Sequence, residues 1–414
     1  MLRNWSTYRP AKLRAAAALG ALALSLAACG GAGLSGLPGF DSAPTPPGTT
    51  GGAPGPGGAQ PASGSTIGTG SVKVGLILPL TAEGQGAVVG NALRNAAEMA
   101  IAEFPGPDIT LLVKDDRGTP EGAQAAAQAA LNEGAEMIIG PLFAGSVQSA
   151  AQVARGANRP VMAFSTDINV AGKGVYLLSF LAENDVNRVI AHATAQGRKS
   201  FAALVPDTAY GKVVEAAFQQ AVASRGARIV AIERFAADQG KIREAVGRLS
   251  PAFGQSDALF LPAGADTMPL IGPLLQQAGF DPAKIKPIGT GVWNDANVFR
   301  VAAVQGGWFA SPDSAGFNAF SGRYQKRFGG PPTRTATLSY DAVSLVAALV
   351  RTQGTRRFDE AVLTNPSGFA GADGVFRFRA EGPSERGLAV LEVRNGQSVT
   401  VSAAPRDLGK PATQ

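Results

Sequence analysis

The sequence predicts an α/β protein of two Rossmann-like lobes with parallel sheets, and three observations lead to this fold class. Residues 72–401 form a folded stretch of about 330 residues, more than one hydrophobic core usually supports. Within it, short apolar segments alternate with helical segments of about 10–15 residues, a pattern typical of parallel strands covered on both faces. The alternation ends near residue 180 and then starts again, which favours two similar lobes with a cleft between them.

The predicted elements follow one another in a regular order. The first run has apolar strands at residues 72–78, 109–114, 137–139 and 161–164, and helices at residues 90–103, 120–132 and 146–155. The second run has an extended segment at residues 175–180, strands at 201–205, 229–234, 258–261 and 287–289, and helices at 184–196, 211–224, 239–249 and 268–278. Helices at residues 317–328 and 337–351 and strands at 374–379 and 388–394 complete the chain. Ligands of such folds bind at the carboxyl ends of the strands.

The N-terminus resembles the export signal of a bacterial lipoprotein. Four basic residues and no acid precede an uncharged run at residues 15–28, which is too short to span a bilayer as a helix. The run ends in Leu26-Ala27-Ala28-Cys29, which is similar to a lipobox, whose cysteine is acylated after cleavage. We therefore expect Cys29 to anchor the protein to the periplasmic face of the cell envelope. Gly30, rather than Asp, fits sorting to the outer membrane. The alternative is an ordinary signal peptide with an incidental cysteine.

Composition excludes several classes of protein. The formal net charge is +6, and cleavage of residues 1–28 leaves +2, so a strongly basic nucleic-acid-binding surface is not expected. Residues 29–71 are mostly Gly, Pro, Ala, Ser and Thr and are predicted to be a disordered tether. Cys29 is the only cysteine and His192 the only histidine, which leaves few parts for metal clusters or for Ser-His-Asp catalysis. We expect no enzyme activity, no metal and no cofactor.

Five stretches, taken in order, resemble the type I periplasmic binding fold in its leucine/isoleucine/valine-binding branch. They are KVGLILPL at 73–80, KDDRGTPEGAQAAAQAAL at 114–131, GAEMIIGPLFAGS at 134–146, AFSTD at 163–167 and AYG at 209–211. The resemblance implies a substrate-binding protein of an ABC transporter, whose partners are a small-molecule ligand and a permease. It also implies three hinge crossings: lobe I would take residues 72–180 and 312–372, lobe II residues 181–311 and 373–403, and a tail residues 404–414.

The resemblance also implies ligand contacts. Ser146, Ser165 and Thr166 match positions that bind a ligand carboxylate, and Tyr210 matches a tyrosine that closes over the ligand. The simpler interpretations are helix N-caps for the serines and a packing aromatic for the tyrosine. The turn at residues 289–295 lacks the glutamate that pairs with a ligand ammonium in this family. Asp167 or Asp295 is a candidate replacement, although neither is in register, so the sequence does not predict a paired acid for an α-amino-acid ligand.

Two alternatives remain open. KVGLILPL and the segment at residues 368–393, with Arg386, also resemble penicillin-binding protein activators, outer-membrane lipoproteins that stimulate a peptidoglycan synthase by protein contact. Gly84, Gly86 and Gly90 after the first strand are superficially similar to a dinucleotide-binding turn, with Asp115 or Asp116 as the ribose partner. Their spacing is G-x-G-x-x-x-G rather than G-x-G-x-x-G, which favours a cleft loop.

Overall fold

The structure, a computed structural model, describes residues 65–409 and confirms the predicted fold class. Strands and helices alternate along the chain and form two parallel-dominated sheets. The predicted signal peptide, the acylation site Cys29, most of the tether and the last residues of the tail lie outside the described residues. The lipid anchor therefore stays a prediction.

The first lobe is built on a six-stranded sheet in which the central strands are parallel. Its order is β1-β3-β2-β4-β5-β6, and only β1 runs antiparallel to its neighbour. The strands are β1 (Thr66–Ile67), β2 (Val72–Leu78), β3 (Ile109–Asp115), β4 (Ile138–Ile139), β5 (Val161–Ala163) and β6 (Val175–Leu177).

The second lobe is built on a seven-stranded sheet. Its parallel strands are β7 (Ser200–Pro206), β8 (Arg228–Phe235), β9 (Ala258–Phe260), β10 (Lys286–Gly289) and β11 (Trp308–Ser311). A hairpin sheet of three strands follows: β12 (Phe369–Gly371), β13 (Gly374–Phe378) and β14 (Ser384–Arg386). The chain then adds β15 (Ala389–Arg394) and β16 (Gln397–Ser402), which extend the second sheet in the antiparallel sense to the order β16-β15-β11-β10-β9-β7-β8.

Helices cover both faces of each sheet, as parallel strands require. The helices are α1 (Gln85–Glu103), α2 (Pro120–Asn132), α3 (Ala144–Gly156), α4 (Ala182–Ala195), α5 (Ala209–Ala223), α6 (Gln239–Leu249), α7 (Met268–Gln277), α8 (Ala296–Phe299), α9 (Ser314–Phe328), α10 (Ala336–Gln353) and α11 (Glu360–Leu363). In the first lobe, α1 and α10 pack on one face of the sheet and α2 and α3 on the other. In the second lobe, α6 and α7 cover one face and α4 and α5 the other.

The chain passes between the two sheets three times, at residues 178–181, 312–313 and 387–388. The last passage differs from the expected boundary between residues 372 and 373. Phe376 and Phe378 of β13 are buried in the hydrophobic core of the first lobe, while Leu388 joins the core of the second. The hairpin sheet therefore packs with the first lobe, and we propose a boundary near residue 387.

Candidate functional site

The loops at the carboxyl ends of β2, β3 and β4 pack together on the first lobe. Asp115, at the end of β3, accepts hydrogen bonds from the backbone amides of Leu80 (2.9 Å) and Arg117 (2.9 Å). Phe143, after β4, lies so close to Gly118 that a Cβ at Gly118 would be 3.1 Å from its ring. The Asp115 carboxylate is thus occupied by the backbone.

Gly90 has a packing role. A Cβ at this position would lie 2.6 Å from the Pro79 carbonyl oxygen, so only glycine fits where α1 approaches the loop after β2. Gly90 and Asp115 thus both have structural roles that require no dinucleotide.

Ser146 lies in the first turn of α3 and points into the lobe. It is 1% exposed, and its hydroxyl donates a hydrogen bond to the Thr119 carbonyl oxygen at 3.2 Å. Thr119 caps α2, because its side chain accepts a hydrogen bond from the Gly122 amide. Ser146 therefore joins α3 to the start of α2. Donation of this hydrogen to a ligand carboxylate would require the bond to Thr119 to break.

The turn after β5 presents polar groups at the lobe surface. The Ser165 hydroxyl is buried and accepts a hydrogen bond from the Asp167 amide at 3.1 Å, while Thr166 and Asp167 are exposed. The Asp167 carboxylate accepts from the backbone amide of Asn169 at 3.0 Å and caps the short helical turn that follows. Thr166 thus has the most accessible hydroxyl of this turn.

Tyr210 and Thr290 join two loops of the second lobe. Tyr210 lies in the first turn of α5, after β7, and Thr290 directly follows β10. Their hydroxyl oxygens are 2.6 Å apart. Burial raises the pKa of the Tyr210 phenol, so it stays neutral. The pair fixes the turn at residues 289–295 against α5.

The same turn holds a carboxylate that comes from another part of the chain. Asp185, in the first turn of α4, accepts a hydrogen bond from the Gly291 amide at 2.9 Å. Asp185 therefore places a carboxylate at the turn that lacks the expected glutamate. Asp295 does not fill this role, because it caps α8 through the Asn297 amide.

Asp185 lies near charges from both lobes. The pKa of Asp185 is raised to about 7, mainly because its carboxyl group is buried. The hydrogen bond from Gly291 and the charge of Arg334 of the first lobe oppose this rise, and the charge of Glu183 adds to it. Burial also raises the pKa of Glu183, and the charge of Asp167 contributes. Acids of both lobes thus approach one another beside the first crossing between the sheets.

Arg334 is the cation of this region, and it is already paired. Its guanidinium donates two hydrogen bonds to Asp373, at 2.7 and 2.8 Å, and stacks on the rings of Phe180 and Phe317 at 4.4 and 4.5 Å. An arginine committed to a bidentate partner is poorly placed to neutralise Asp185 as well. The Thr166 hydroxyl and the Asp185 carboxylate therefore remain as candidate ligand contacts, one on each lobe.

Residues 65–409 contain neither a candidate membrane-spanning helix nor a candidate metal site. No helix in this part of the chain is long and apolar enough to cross a membrane. No group of three or more His, Cys, Asp or Glu residues is arranged to hold a metal ion within the same range.

Solved structures with the same fold include three transport-related proteins. One is a candidate branched-chain amino acid ABC transporter from Rhodospirillum rubrum, with 19% identity and a TM-score of 0.68 over 80% of this chain and 99% of that chain. A branched-chain amino acid ABC transporter periplasmic ligand-binding protein from Burkholderia xenovorans LB400 has 18% identity and a TM-score of 0.65, over 82% and 97%. A solute-binding protein of an ABC transporter from Rhodopseudomonas palustris BisB5 has 23% identity and a TM-score of 0.56, over 82% and 98%.

These low identities establish a shared fold alone. A search of curated proteins found no match. The family comparison is more informative, because a model of the periplasmic binding protein family matches residues 71–398, most of the chain. The chain therefore belongs to the periplasmic binding protein family.

Proposed function

We propose that this protein is a lipid-anchored solute-binding protein that captures a small ligand between its lobes for an ABC-type importer. The observation that carries the proposal is the position of Asp185 on the amide of Gly291, at the carboxyl end of β10 and within electrostatic reach of Arg334 of the first lobe. A half-buried carboxylate without a bound cation is costly, and a ligand ammonium would offset that cost.

The proposed ligand class follows from the Thr166 hydroxyl and the Asp185 carboxylate. Similar structures hold leucine, in a protein from Desulfitobacterium hafniense, and benzoate or 3,4-dihydroxybenzoic acid, in proteins from Rhodopseudomonas palustris. All three ligands carry a carboxylate, and leucine also carries an ammonium. Thr166 and nearby backbone amides suit the carboxylate, and Asp185 suits the ammonium. We therefore infer an amino-acid-like zwitterion rather than an aromatic acid.

Calorimetry tests this assignment. Leucine and benzoate are titrated into the mature chain and into Asp185→Asn, with Glu244→Gln as the control because Glu244 is an exposed acid paired only with Lys241 on α6. A charged hydrogen bond is worth about 1.5–3 kcal/mol, so Asp185→Asn should weaken zwitterion binding by about 10- to 150-fold and leave benzoate unaffected. Equal loss for both ligands, or none for either, contradicts the role of Asp185.

A second candidate is a penicillin-binding protein activator, and one observation favours it. Two of the expected ligand hydroxyls have partners inside their own lobes, Ser146 with Thr119 and Tyr210 with Thr290. A protein that acts through surface contact needs no free hydroxyls in a cleft. Affinity purification of the lipid-anchored protein from membranes separates the candidates: an ABC permease supports solute capture, and a peptidoglycan synthase supports the activator.

A further inference from the structure

The first lobe has a pocket at the end of the sheet opposite the candidate site. It is bounded by the C-terminal end of α3, the first residues of β5 and β6, and α11, and it has a volume of about 420 Å³. Small-molecule sites in proteins commonly have about 300–1,000 Å³. Because Val161 and Val175 are the first residues of their strands, the pocket is separate from the strand carboxyl ends.

The acids on the rim of the pocket have ion-pair partners, whereas two of its arginines do not within residues 65–409. Of its acids, Asp359 is 3.1 Å from Arg356, and Glu360 is 3.9 Å from Lys173. Arg155 and Arg159 also line the pocket, and neither has an ion pair or a side-chain hydrogen bond within residues 65–409. Two guanidinium groups are thus available to an anion.

Tyr176 adds a neutral donor from the core side. Its side chain is buried, with 1% of the residue exposed, and it lines the pocket. Its hydroxyl has no hydrogen-bond partner in the part of the chain that the structure describes. Burial raises the pKa of the phenol to about 12, and Glu360 contributes, so the proton stays on the oxygen and can be donated.

The remaining walls of the pocket are apolar. Val161 and Val175 are buried, and Ala151 and Phe358 also line it. A ligand that fills such a site needs an apolar body as well as an anionic group, because burial of apolar surface supplies much of the binding energy.

We propose that this pocket is a second ligand site, which binds an anionic group on an apolar body through Arg155, Arg159 and the hydroxyl of Tyr176. The site is independent of the ligand between the lobes. A carboxylate and a phosphate ester share this chemistry, and both accept charge-assisted hydrogen bonds from arginine.

Calorimetry with phenyl phosphate and benzoate tests the proposal on the full mature chain. The Arg155→Ala/Arg159→Ala variant should bind at least one probe about 10- to 100-fold more weakly, and Tyr176→Phe about 2- to 10-fold more weakly. The control is Arg243→Ala/Arg300→Ala, which removes the same charge from exposed positions on the second lobe and should leave affinity unchanged.

Three outcomes overturn the proposal: no binding of either probe, equal loss in the control variant, or loss in Thr166→Val, which would locate the probe at the proposed carboxylate contact between the lobes. Anionic lipid vesicles distinguish a lipid headgroup from a soluble ligand as the source of the anion. Arginine-dependent binding of phenyl phosphate but not of vesicles supports a soluble ligand, and vesicle binding alone contradicts it.

Discussion

At the scale of single residues, the proposed function depends most on Asp185. This residue was not identified as a candidate ligand contact from the sequence. The turn at residues 289–295 lacks the glutamate that the family resemblance implies. The acid that replaces it lies 106 positions earlier, in the first turn of α4. Only the pairing of β10 with its neighbours and the packing of α4 beside them bring the two together. Acids in a first helical turn are common for reasons of helix stability, so the sequence signal was weak.

The raised pKa of Asp185 predicts a pH dependence of stability. Its ordinary value is 3.8 and its folded value is about 7. Between these values the folded state holds a proton that the unfolded state has released, so stability falls as pH rises from about 4 to about 7. Asp185→Asn removes this contribution. Its melting temperature relative to wild type should therefore be higher, by about 2 °C or more, at pH 8 than at pH 4.5. Calorimetric melting at both pH values checks this, and a pH-independent difference contradicts it.

At the scale of elements, the regular strands and helices were predictable and the short or polar strands were not. Apolar runs predicted β2, β3, β7 and β9, because strands buried on both faces need continuous apolar sequence. No sequence pattern predicted β1, β12 and β14, which have only two or three residues each, or β16, which is mostly exposed. Their pairing depends on neighbouring strands rather than on their own composition.

The hairpin sheet beside the third crossing contains a buried ion pair. The Arg386 side chain is 1% exposed and stacks on Phe180 and Phe376 at 5.0 and 5.5 Å. One of its nitrogens lies 3.9 Å from Asp341 of α10. None of its three nitrogens has a hydrogen-bond partner within residues 65–409. Such a pair contributes little net stability, because the desolvation cost is large.

This geometry predicts how Arg386→Met behaves. Burial raises the pKa of Asp341 to about 7, and the charge of Arg386 keeps it from rising higher. Without Arg386, Asp341 stays protonated to a higher pH. The free energy of unfolding of the variant should therefore continue to fall between pH 7 and pH 9, by up to about 1.4 kcal/mol per pH unit. In the wild type, the contribution of Asp341 has levelled off in this range.

Urea unfolding at pH 6, 7.5 and 9 measures this loss. The control is Arg377→Met, which removes a cation from the outer side of the same hairpin, where Arg377 pairs with Glu385. Because the pKa of Glu385 is lowered, Arg377→Met should change the pH dependence of the free energy of unfolding only at acid pH. Parallel curves for wild type and Arg386→Met above pH 7 would contradict the account.

At the scale of the whole molecule, the two-lobed architecture was predictable from the repeated alternation, and the family from the order of five loose motifs. The proposed division between lobes near the third crossing was not predictable, because it depends on the packing of β13 rather than on its composition. Phe376 and Phe378 of β13 lie in the hydrophobic core of the first lobe. The anchor rests on sequence alone.

The anchor makes a separate prediction. Cys29→Ser removes the sulfur that acylation requires, so the protein should leave the detergent phase in phase partitioning or accumulate unprocessed. A matched Ser35→Ala variant, in the predicted tether, should partition as wild type does. Retention of Cys29→Ser in the detergent phase would contradict acylation at this residue.

Native mass spectrometry of the gently purified mature protein tests the central claim, capture of an amine-bearing ligand through Asp185, most directly. We expect the wild type to retain a small molecule whose mass and fragmentation include an amine and a carboxylate. We expect Asp185→Asn to be mostly empty and Glu244→Gln to be loaded like the wild type. An empty wild-type protein that co-purifies with a peptidoglycan synthase, or equal loading of Asp185→Asn, would contradict the account.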